Sequence, residues 1–402
     1  MAVTNIGLFG KRNVGKSSLI NLIIGQDVAI VSDKAGTTTD PVKKRIEIFG
    51  IGPCQLIDTA GIDDEGELGK MRVGKTLEML NQIDIAIMVL SANKLDKDEE
   101  KVLKKLIKME IPAIVVHNQS DIIPLDPLFA ERILSEFKIE VLEFSCCEME
   151  EDAQKAYLEQ LIAKIVEASR NSSFREKPIF EGVVSEGQTV VLVCPIDSEA
   201  PTGRLILPQV MAIRDLLDRK AIANVMLPES LPSYFAQGNS PDLVVTDSQI
   251  FGTVSKMVPA GVKLTSFSML LARSKGAFDD YIKGSPQISN LKDGDRILIL
   301  ESCTHHSSCE DIGRVKLPAL FRKFSGKRLE FDFVSGLDRI EKDFSCYALV
   351  AQCGGCMVTP RQLYNRLLPA IEAGVPVTNY GMAIAYMNGI FDRVVEPLVN
   401  IK

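Results

Sequence analysis

Residues 10–17 carry the clearest chemical signal in the chain. They read Gly10-Lys-Arg-Asn-Val-Gly15-Lys16-Ser17, which matches the pattern of a phosphate-binding P-loop. In such a loop, backbone N–H groups and the positive end of the following helix hold phosphate oxygens. Lys16 then places a positive charge on the β and γ phosphates, and the Ser17 hydroxyl binds Mg²⁺. The pattern predicts a nucleotide site between a strand at Val3–Phe9 and a helix at Ser17–Gly25.

Two further segments are placed to complete the Mg²⁺ and γ-phosphate site. Asp58-Thr-Ala-Gly61 follows a strand-like run, so Asp58 can hold Mg²⁺ through water and the Gly61 amide can contact the γ-phosphate. Between the P-loop and Asp58 lies the threonine-rich segment Ala35–Asp40. We expect Thr38 to complete the Mg²⁺ shell from a switch loop that the triphosphate orders.

Recognition of the base is predicted for His117-Asn118-Gln119-Ser120-Asp121, which resembles the NKxD element of GTPases. The Asp121 carboxylate can accept hydrogen bonds from N1–H and the exocyclic amine of guanine, whereas adenine would leave it facing an acceptor. Gln119 stands where that element has lysine, so we expect weaker nucleotide binding. Ser145-Cys146-Cys147 resembles the SAK element, whose backbone amides contact the base.

These elements together define the predicted nucleotide site. Its residues are Gly10, Asn13, Gly15, Lys16, Ser17, Ser18, Thr38, Asp58, Gly61, Asn118, Asp121, Ser145 and Cys146. We expect Lys16, Thr38 and Gly61 to act in catalysis, and Ser17 and Thr38 to bind Mg²⁺. Their arrangement resembles the TrmE–Era branch of GTPases, which implies GTP and GDP as ligands and K⁺ coordination at Asn13. Ile62 follows Gly61 where Ras-type enzymes have glutamine, so we expect slow hydrolysis of GTP to GDP and phosphate.

A second group of candidate ligands lies in the C-terminal part of the chain. Cys303-Thr-His305-His306 follows a predicted strand at Arg296–Glu301, and Cys353-Gly-Gly-Cys356 follows a predicted strand at Cys346–Ala351. Loops that leave the carboxyl ends of strands in an open α/β sheet meet at one edge. The two segments therefore predict a shared metal site with Cys303, His305, Cys353 and Cys356 as ligands.

The identity of this metal is open from spacing alone. Three thiolates and one imidazole satisfy a tetrahedral structural Zn²⁺. Three thiolates could equally hold three irons of a [4Fe–4S] cluster and leave the fourth iron for a labile ligand. A thioredoxin-like CxxC is the third alternative, but it leaves Cys303 and His305 without a role.

The elements that position these residues indicate an α/β protein of three domains. In residues 1–170, six strand-like runs alternate with helical patterns, which predicts a P-loop domain with a mostly parallel six-stranded sheet. A linker-like stretch follows, and a small α/β domain is predicted at 178–265. The third predicted domain, 266–402, is an α/β domain that carries the cysteine pattern.

Composition excludes several classes of protein. The 402 residues are 46% hydrophobic and 25% charged, which is typical of a globular protein and not of a disordered one. The apolar runs are shorter than the ~18 residues that a membrane span needs. A net charge of −7 argues against nucleic acid as the main partner. Nine cysteines without a recognisable secretion signal predict reduced thiols in a cytoplasmic protein.

A TrmE–Era-type domain followed by C-x-H and CxxC resembles the HydF family of [FeFe]-hydrogenase maturation GTPases over essentially the whole chain. The resemblance implies a dimerisation domain in the middle and a [4Fe–4S] domain at the end. It also implies a homodimer that carries a di-iron precursor, works with the radical-SAM maturases HydE and HydG, and delivers to apo-hydrogenase. The family has a second histidine before CxxC, at the end of a spacer that here runs from residue 306 to 352; this chain has Gln352 there. Gln352 cannot supply an imidazole ligand, so the fourth ligand is open.

Two other functions compete with this interpretation. The N-terminal domain alone would suit an RNA-associated GTPase of ribosome assembly or tRNA modification, although such proteins usually carry a basic module. A GTPase with a structural zinc site and a regulatory output is the other alternative. Zinc proteins are colourless and iron–sulfur proteins brown, so colour separates the two metal readings.

Overall fold

The chain divides into two units, Met1–Arg175 and Glu176–Lys402. The structure is a computed structural model. It describes residues 3–25, 43–59, 79–147, 151–172, 174, 176–196, 205–302, 312–338 and 340–399.

The first unit is built on one sheet. Its described strands are β1 (Thr4–Phe9), β2 (Lys43–Ile48), β3 (Gly52–Asp58), β4 (Ile85–Leu90), β5 (Ala113–His117) and β6 (Val141–Glu143). Its described helices are α1 (Lys16–Ile24), α2 (Lys97–Lys108), α3 (Pro127–Phe137) and α4 (Glu151–Arg170). The strand order is β2-β3-β1-β4-β5-β6, and every neighbouring pair is parallel except β2 with β3. The predicted mostly parallel six-stranded sheet is therefore confirmed.

Hydrophobic cores cover both faces of this sheet. Alternate residues of β4 face opposite sides: Ile87 packs in a core with Leu19 of α1 and Leu161 of α4. Met88 packs in the other core, with Leu103 of α2. A strand buried on both faces must be apolar at every position, which explains why β4 is a continuous apolar run.

The second unit contains two sheets. Its described strands are β7 (Thr189–Val193), β8 (Ile222–Met226), β9 (Leu243–Thr246), β10 (Lys263–Ser266), β11 (Arg296–Leu300), β12 (Glu330–Val334), β13 (Leu349–Gln352) and β14 (Val377–Asn379). The described helices are α5 (Leu207–Asp218), α6 (Leu231–Ala236), α7 (Phe251–Met257), α8 (Phe267–Lys275), α9 (Phe278–Gly284), α10 (Leu317–Ser325), α11 (Pro360–Glu372), α12 (Tyr380–Met387) and α13 (Phe391–Val399). The sheet orders are β10-β9-β7-β8 and β12-β11-β13-β14, with parallel pairing throughout the described strands.

A common core joins the two sheets of the second unit. Val191 of β7 and Val244 of β9 belong to the same buried cluster as Leu298 of β11 and Val350 of β13. The predicted boundary at 265/266 falls within the last two residues of β10, and Leu270 of α8 lies in this same core. The subdivision of the second unit at that position stays a prediction.

The predicted strand at Cys346–Ala351 begins later than expected. Cys346 lies in a 3-10 turn at Phe344–Cys346, and β13 starts only at Leu349. The Asp343 side chain accepts a hydrogen bond from the Ser345 backbone N–H at 2.8 Å, which stabilises the turn. Among the described helices, none combines the length and apolarity that a membrane span requires.

Candidate functional site

The loop between β1 and α1 has the backbone geometry of a phosphate site. Gly10 has φ +142°, and a Cβ there would lie 2.2 Å from the Val89 carbonyl oxygen. Gly15 has φ +94° and directly precedes α1. Only glycine fits such close approaches and positive angles without strain. The loop therefore follows the tight path that aims backbone N–H groups and the α1 N-terminus at one anion.

Lys16 lies across this loop. Its Nζ donates to the carbonyl oxygens of Gly10 at 3.0 Å and Lys11 at 2.6 Å, and the residue is 7% exposed. The ammonium is thus held at the mouth of the loop, where phosphate oxygens would meet it. Ser18, the third residue of α1, is exposed.

The two predicted Mg²⁺-side oxygens lie together. β3 pairs in parallel with β1, with Leu8 opposite Asp58, so Asp58 arrives at the carboxyl edge of the sheet beside the start of α1. The Ser17 hydroxyl donates to Asp58 Oδ2 at 2.6 Å. A hydroxyl and a carboxylate at this spacing are oxygen donors of the kind that Mg²⁺ takes beside phosphates. Thr38 and Gly61 lie outside the described residues.

The side-chain amide of Asn118 ties the base-recognition residues to the P-loop. Asn118, which is 1% exposed, donates from Nδ2 to the Val14 carbonyl oxygen at 2.7 Å. Its Oδ1 accepts from the Cys146 backbone N–H at 3.2 Å. The Ser145 hydroxyl donates to the Asp121 carboxylate. Four predicted residues from two loops, Asn118, Asp121, Ser145 and Cys146, are thereby brought together.

Gln119, which stands where the NKxD element has lysine, also contacts the P-loop. It has φ +64°, and its Nε2 donates to the Asn13 carbonyl oxygen at 3.1 Å. Burial raises the pKa of the Cys146 thiol to about 11, so the thiol stays protonated at neutral pH.

Glu99 is a contact of the P-loop that sequence reasoning missed. This carboxylate is 2% exposed; it accepts from the Lys11 backbone N–H at 3.3 Å and from the Asp96 N–H at 3.0 Å. Lys11 also forms an ion pair with Asp96. Glu99 thus holds the P-loop to the N-terminus of α2. The Asp96-x-x-Glu99 spacing of a capping box was the available signal.

The cysteine segments of the second unit meet at adjacent strand ends. β11 and β13 are parallel neighbours, with Leu300 opposite Gln352. The Ser302 backbone N–H donates to Cys353 Sγ at 3.1 Å, and the Ser302 hydroxyl lies 3.0 Å from the same sulfur. Burial raises the pKa of the Cys353 thiol, and the Ser302 contact opposes that rise. The predicted convergence of the two strand ends is therefore observed up to Ser302.

A cavity of about 230 Å³ opens beside these cysteines. The loop Cys353–Cys356 forms one wall, and Tyr380 at the start of α12 lines another side. Glu301 and Ile312 also line the cavity, and both flank the segment 303–311. Cys303 and His305 belong to that segment and lie outside the described residues. Within the part of the chain that is described, no group of three Cys, His, Asp or Glu side chains forms a metal site.

Gln352 is fully buried next to Cys353. Its Nε2 donates to Ser302 Oγ at 3.0 Å and lies 3.6 Å from Cys353 Sγ. The side chain therefore supports Ser302 and the thiol through N–H donation, which is a different role from that of an imidazole ligand.

Three family models match the chain. A model of the 50S ribosome-binding GTPases matches residues 5–119. The hydrogen maturase F dimerization domain matches residues 179–276, and the hydrogen maturase F tetramerization domain matches residues 279–397. The chain belongs to the hydrogen maturase F (HydF) family. As in that family's architecture, its first unit is a GTPase domain that binds GTP, GDP and Mg²⁺, and the two following matches support oligomerisation.

Curated relatives resemble this HydF-family chain over a limited length. It is 38% identical over 135 residues to the tRNA modification GTPase MnmE of Aliarcobacter butzleri, covering 33% of this chain and 29% of that protein. It is 41% identical over 117 residues to MnmE of Clostridioides difficile, covering 29% and 25%. The chain thus matches less than a third of the length of these relatives. The similarity is consistent with a GTPase domain of the TrmE–Era type.

Solved structures match more weakly. Era of Aquifex aeolicus bound to GDP·AlF4⁻ gives a TM-score of 0.33 at 21% identity, over 56% of this chain and 93% of that one. The G domain of the T. maritima FeoB iron transporter gives 0.30 at 23% identity, over 41% and 98%.

Proposed function

We propose that this HydF-family chain is a GTPase and an iron–sulfur scaffold of [FeFe]-hydrogenase maturation. It would carry a di-iron precursor on a [4Fe–4S] cluster and transfer it to apo-hydrogenase, with HydE and HydG as further partners in the cytoplasm. The observation that carries the proposal is the contact between Ser302 and Cys353 Sγ. Cys303 follows Ser302 directly in the sequence, which supports including it in the proposed ligand set.

The described residues fit such a cluster. Cys353 and Cys356 both line the cavity, and Cys353 Sγ already accepts hydrogen bonds from its surroundings, as sulfur ligands of a cluster do. We infer that Cys303, Cys353 and Cys356 supply three thiolates. When bound, the cluster would offer one iron with an exchangeable ligand. That ligand would come from His305, an oxygen donor or water, because Gln352 is occupied with Ser302.

We also propose a role for each residue of the nucleotide site. Backbone N–H groups from Gly10 to Gly15 would hold the phosphates, and Lys16 would stabilise charge on the γ-phosphate. Ser17 and Asp58 would lie beside Mg²⁺. Thr38 and Gly61 would contribute from the switch segments, and Asn13, whose carbonyl oxygen accepts from Gln119, would help coordinate K⁺. Asp121 would select guanine.

An EPR spectrum tests the cluster and its open iron together. The protein is reconstituted anaerobically with iron and sulfide, reduced with dithionite, and measured with and without imidazole. We expect a [4Fe–4S]⁺ signal that shifts when imidazole is added, because an exchangeable ligand is displaced. A signal that ignores imidazole would contradict the open iron.

The same samples separate the alternatives. A colourless protein that binds one equivalent of zinc and gives no iron signal would favour the regulatory GTPase with a structural zinc site. Salt-sensitive RNA retention on filters would favour an RNA-associated GTPase. Either result would overturn the scaffold proposal.

Self-association is proposed to use β8, the end strand of the first sheet of the second unit as far as the chain is described. β8 lies at the end of the order β10-β9-β7-β8, and its Ile222 and Val225 side chains are 52% and 46% exposed. An edge strand with apolar side chains is a template for pairing with another copy. It lies within the region matched by the dimerization model, 179–276.

Replacing Val225 with glutamate should weaken this association. Two like charges would face each other in a two-fold interface, and we expect at least a tenfold rise in the dimer dissociation constant by analytical ultracentrifugation. Glu229→Gln, also in this region but outside the strand, is the control. An unchanged dissociation constant for Val225→Glu would exclude β8 from the interface.

A further inference from the structure

Lys275 is a buried cation directly behind the CxxC loop. It is the last residue of α8, and its side chain is 1% exposed. Its Nζ lies 3.4 Å from the Gly355 carbonyl oxygen, 3.5 Å from that of Cys356 and 3.4 Å from that of Val358. The ammonium is therefore bound by three carbonyl groups of one short loop.

The counter-charge of Lys275 comes from the segment that leads into the second unit. Glu176 Oε1 lies 3.3 Å from Lys275 Nζ. The segment is fixed further by the Lys177 backbone N–H, which donates to the Ser274 carbonyl oxygen at 3.4 Å. The CxxC loop, the end of α8 and residues 176–177 thus form one connected polar cluster.

Burying an ammonium group only to fill space would be energetically unfavourable. Removing it from water is unfavourable unless it is paired and hydrogen-bonded, and methionine would fill a similar volume without that cost. We therefore infer that the positive charge of Lys275 has a role beyond packing. Carbonyl oxygens of the loop are its main partners, so the role concerns the conformation and the electrostatic potential of the loop.

Because peptide groups are planar, the Lys275 contacts with carbonyl groups also fix the direction of N–H groups in the loop. In a trans peptide the C=O and N–H bonds point in opposite directions. Because Lys275 holds the Gly355 and Cys356 carbonyls, the N–H groups of Cys356 and Met357 are directed away from Lys275. The Gly355 N–H in turn makes a hydrogen bond to Cys353 Sγ. Cys353, Cys356 and the residues between them line the cavity.

The loop has little freedom to adopt another path. Gly355 has φ +67°, and a Cβ there would lie 2.3 Å from Leu363 Cδ1. A conformation of this kind persists only where the surroundings hold it, and the Lys275 hydrogen bonds do so from behind.

We propose that Lys275 is a positioning residue for the Cys353–Cys356 loop and raises the reduction potential of the iron–sulfur cluster that the loop would hold. The effect on the reduction potential rests on the proposed function, whereas the positioning of the loop does not. A positive charge behind the loop favours the more negative, reduced form of the cluster, and its hydrogen bonds hold the loop in which the Gly355 N–H donates to Cys353 Sγ.

The first test uses the metal-free protein and no cluster. Hydrogen exchange of the backbone amides of residues 354–358 is compared between wild type, Lys275→Met and Lys275→Arg. We expect at least tenfold faster exchange in Lys275→Met and partial restoration in Lys275→Arg, because arginine keeps the charge and the donors. Lys283→Met, which changes an exposed lysine of α9, is the control and should leave these amides unchanged.

The second test is a potentiometric titration of the reconstituted protein with dithionite. Lys275→Met should lower the ratio of reduced to oxidised cluster at a fixed potential about tenfold, which is about 59 mV for one electron. Glu176→Gln removes the negative partner and keeps the ammonium, so it should shift the potential in the opposite direction. Opposite signs identify a charge effect, whereas general loosening of the loop would move both variants the same way.

The outcomes separate this inference from the proposed function. Unchanged amide exchange in Lys275→Met would overturn the positioning role. A shared direction of shift in Lys275→Met and Glu176→Gln would overturn the electrostatic role. If wild type takes up no cluster, the scaffold proposal fails, and amide exchange still decides whether Lys275 positions the loop. If Lys275→Met does not fold, Glu176→Gln and Lys275→Arg carry both measurements.

Discussion

Replacing Cys353 or Cys356 with alanine is expected to remove most of the bound iron and the cluster absorbance while GTP hydrolysis stays within about twofold of wild type. Each substitution deletes one of three proposed thiolates, and an iron left without its ligand binds weakly and is readily lost. The cysteines and the P-loop lie in separate units, so the effects of substitutions at the two sites should be independent. Iron content, visible absorbance and phosphate release measure the two functions in the same preparations.

Cys346→Ala provides the matched control. This cysteine lies just before the same strand, is exposed, and donates its thiol hydrogen to the Asp343 carbonyl oxygen. We expect full iron content in this variant. Wild-type iron in Cys353→Ala would show that the CxxC loop is not the ligand set. Equal iron loss in Cys346→Ala would point to adventitious binding by surface thiols.

Lys16→Ala should have the converse effect: kcat for GTP falls about 10²–10³-fold while the iron content is unchanged. Removing a preorganised positive group from a site where negative charge develops in the transition state has a cost of this order. The Lys16 ammonium is held across the loop by the Gly10 and Lys11 carbonyl oxygens, so the substitution removes a positive charge that the fold holds in place. Phosphate release under saturating GTP measures the effect.

Lys11→Ala tests whether the loss of any lysine from the P-loop would lower kcat for GTP. Its side chain pairs with Asp96 at the start of α2, away from the position of Lys16. We expect Lys11→Ala to retain kcat within a few-fold. A Lys16→Ala enzyme with wild-type kcat would remove Lys16 from the catalytic residues, and a large loss in Lys11→Ala would show that the loop itself had been disturbed.

The first unit was predictable from local patterns because its central strands β1, β4 and β5 are buried on both faces. All six predicted strands are present as β1–β6, and the strand predicted at Val3–Phe9 agrees with β1 to within one residue. Several strands of the second unit gave weaker signals. β14 has only three residues, and β8 carries Asn224 and exposed apolar side chains in place of a clear alternation. Strands of this kind are defined mainly by their neighbours in the sheet.

The residues of the candidate sites also differ in how well the sequence predicts them. The P-loop and Asp121 were found because their chemistry depends on residues close together in sequence. The roles of Glu99 and Lys275 were not found, since a charged residue in a helix normally indicates a solvated surface. Their burial, at 2% and 4% exposure, is created by tertiary contacts with the P-loop and the CxxC loop. The capping-box spacing marks Glu99 as a residue of a helix start, but spacing within one segment does not predict these tertiary contacts.

The parallel pairing of β11 with β13 also sets an order of events during biosynthesis. Ser302 and Cys353 are 51 positions apart, and parallel neighbours require a crossover, which here includes α10 and β12. A nascent chain that ends before residue 353 therefore lacks two of the three proposed thiolates. Vectorial synthesis would therefore place the proposed iron loading after β13 has emerged and paired with β11, and the thiols of the growing chain would have to stay reduced until then.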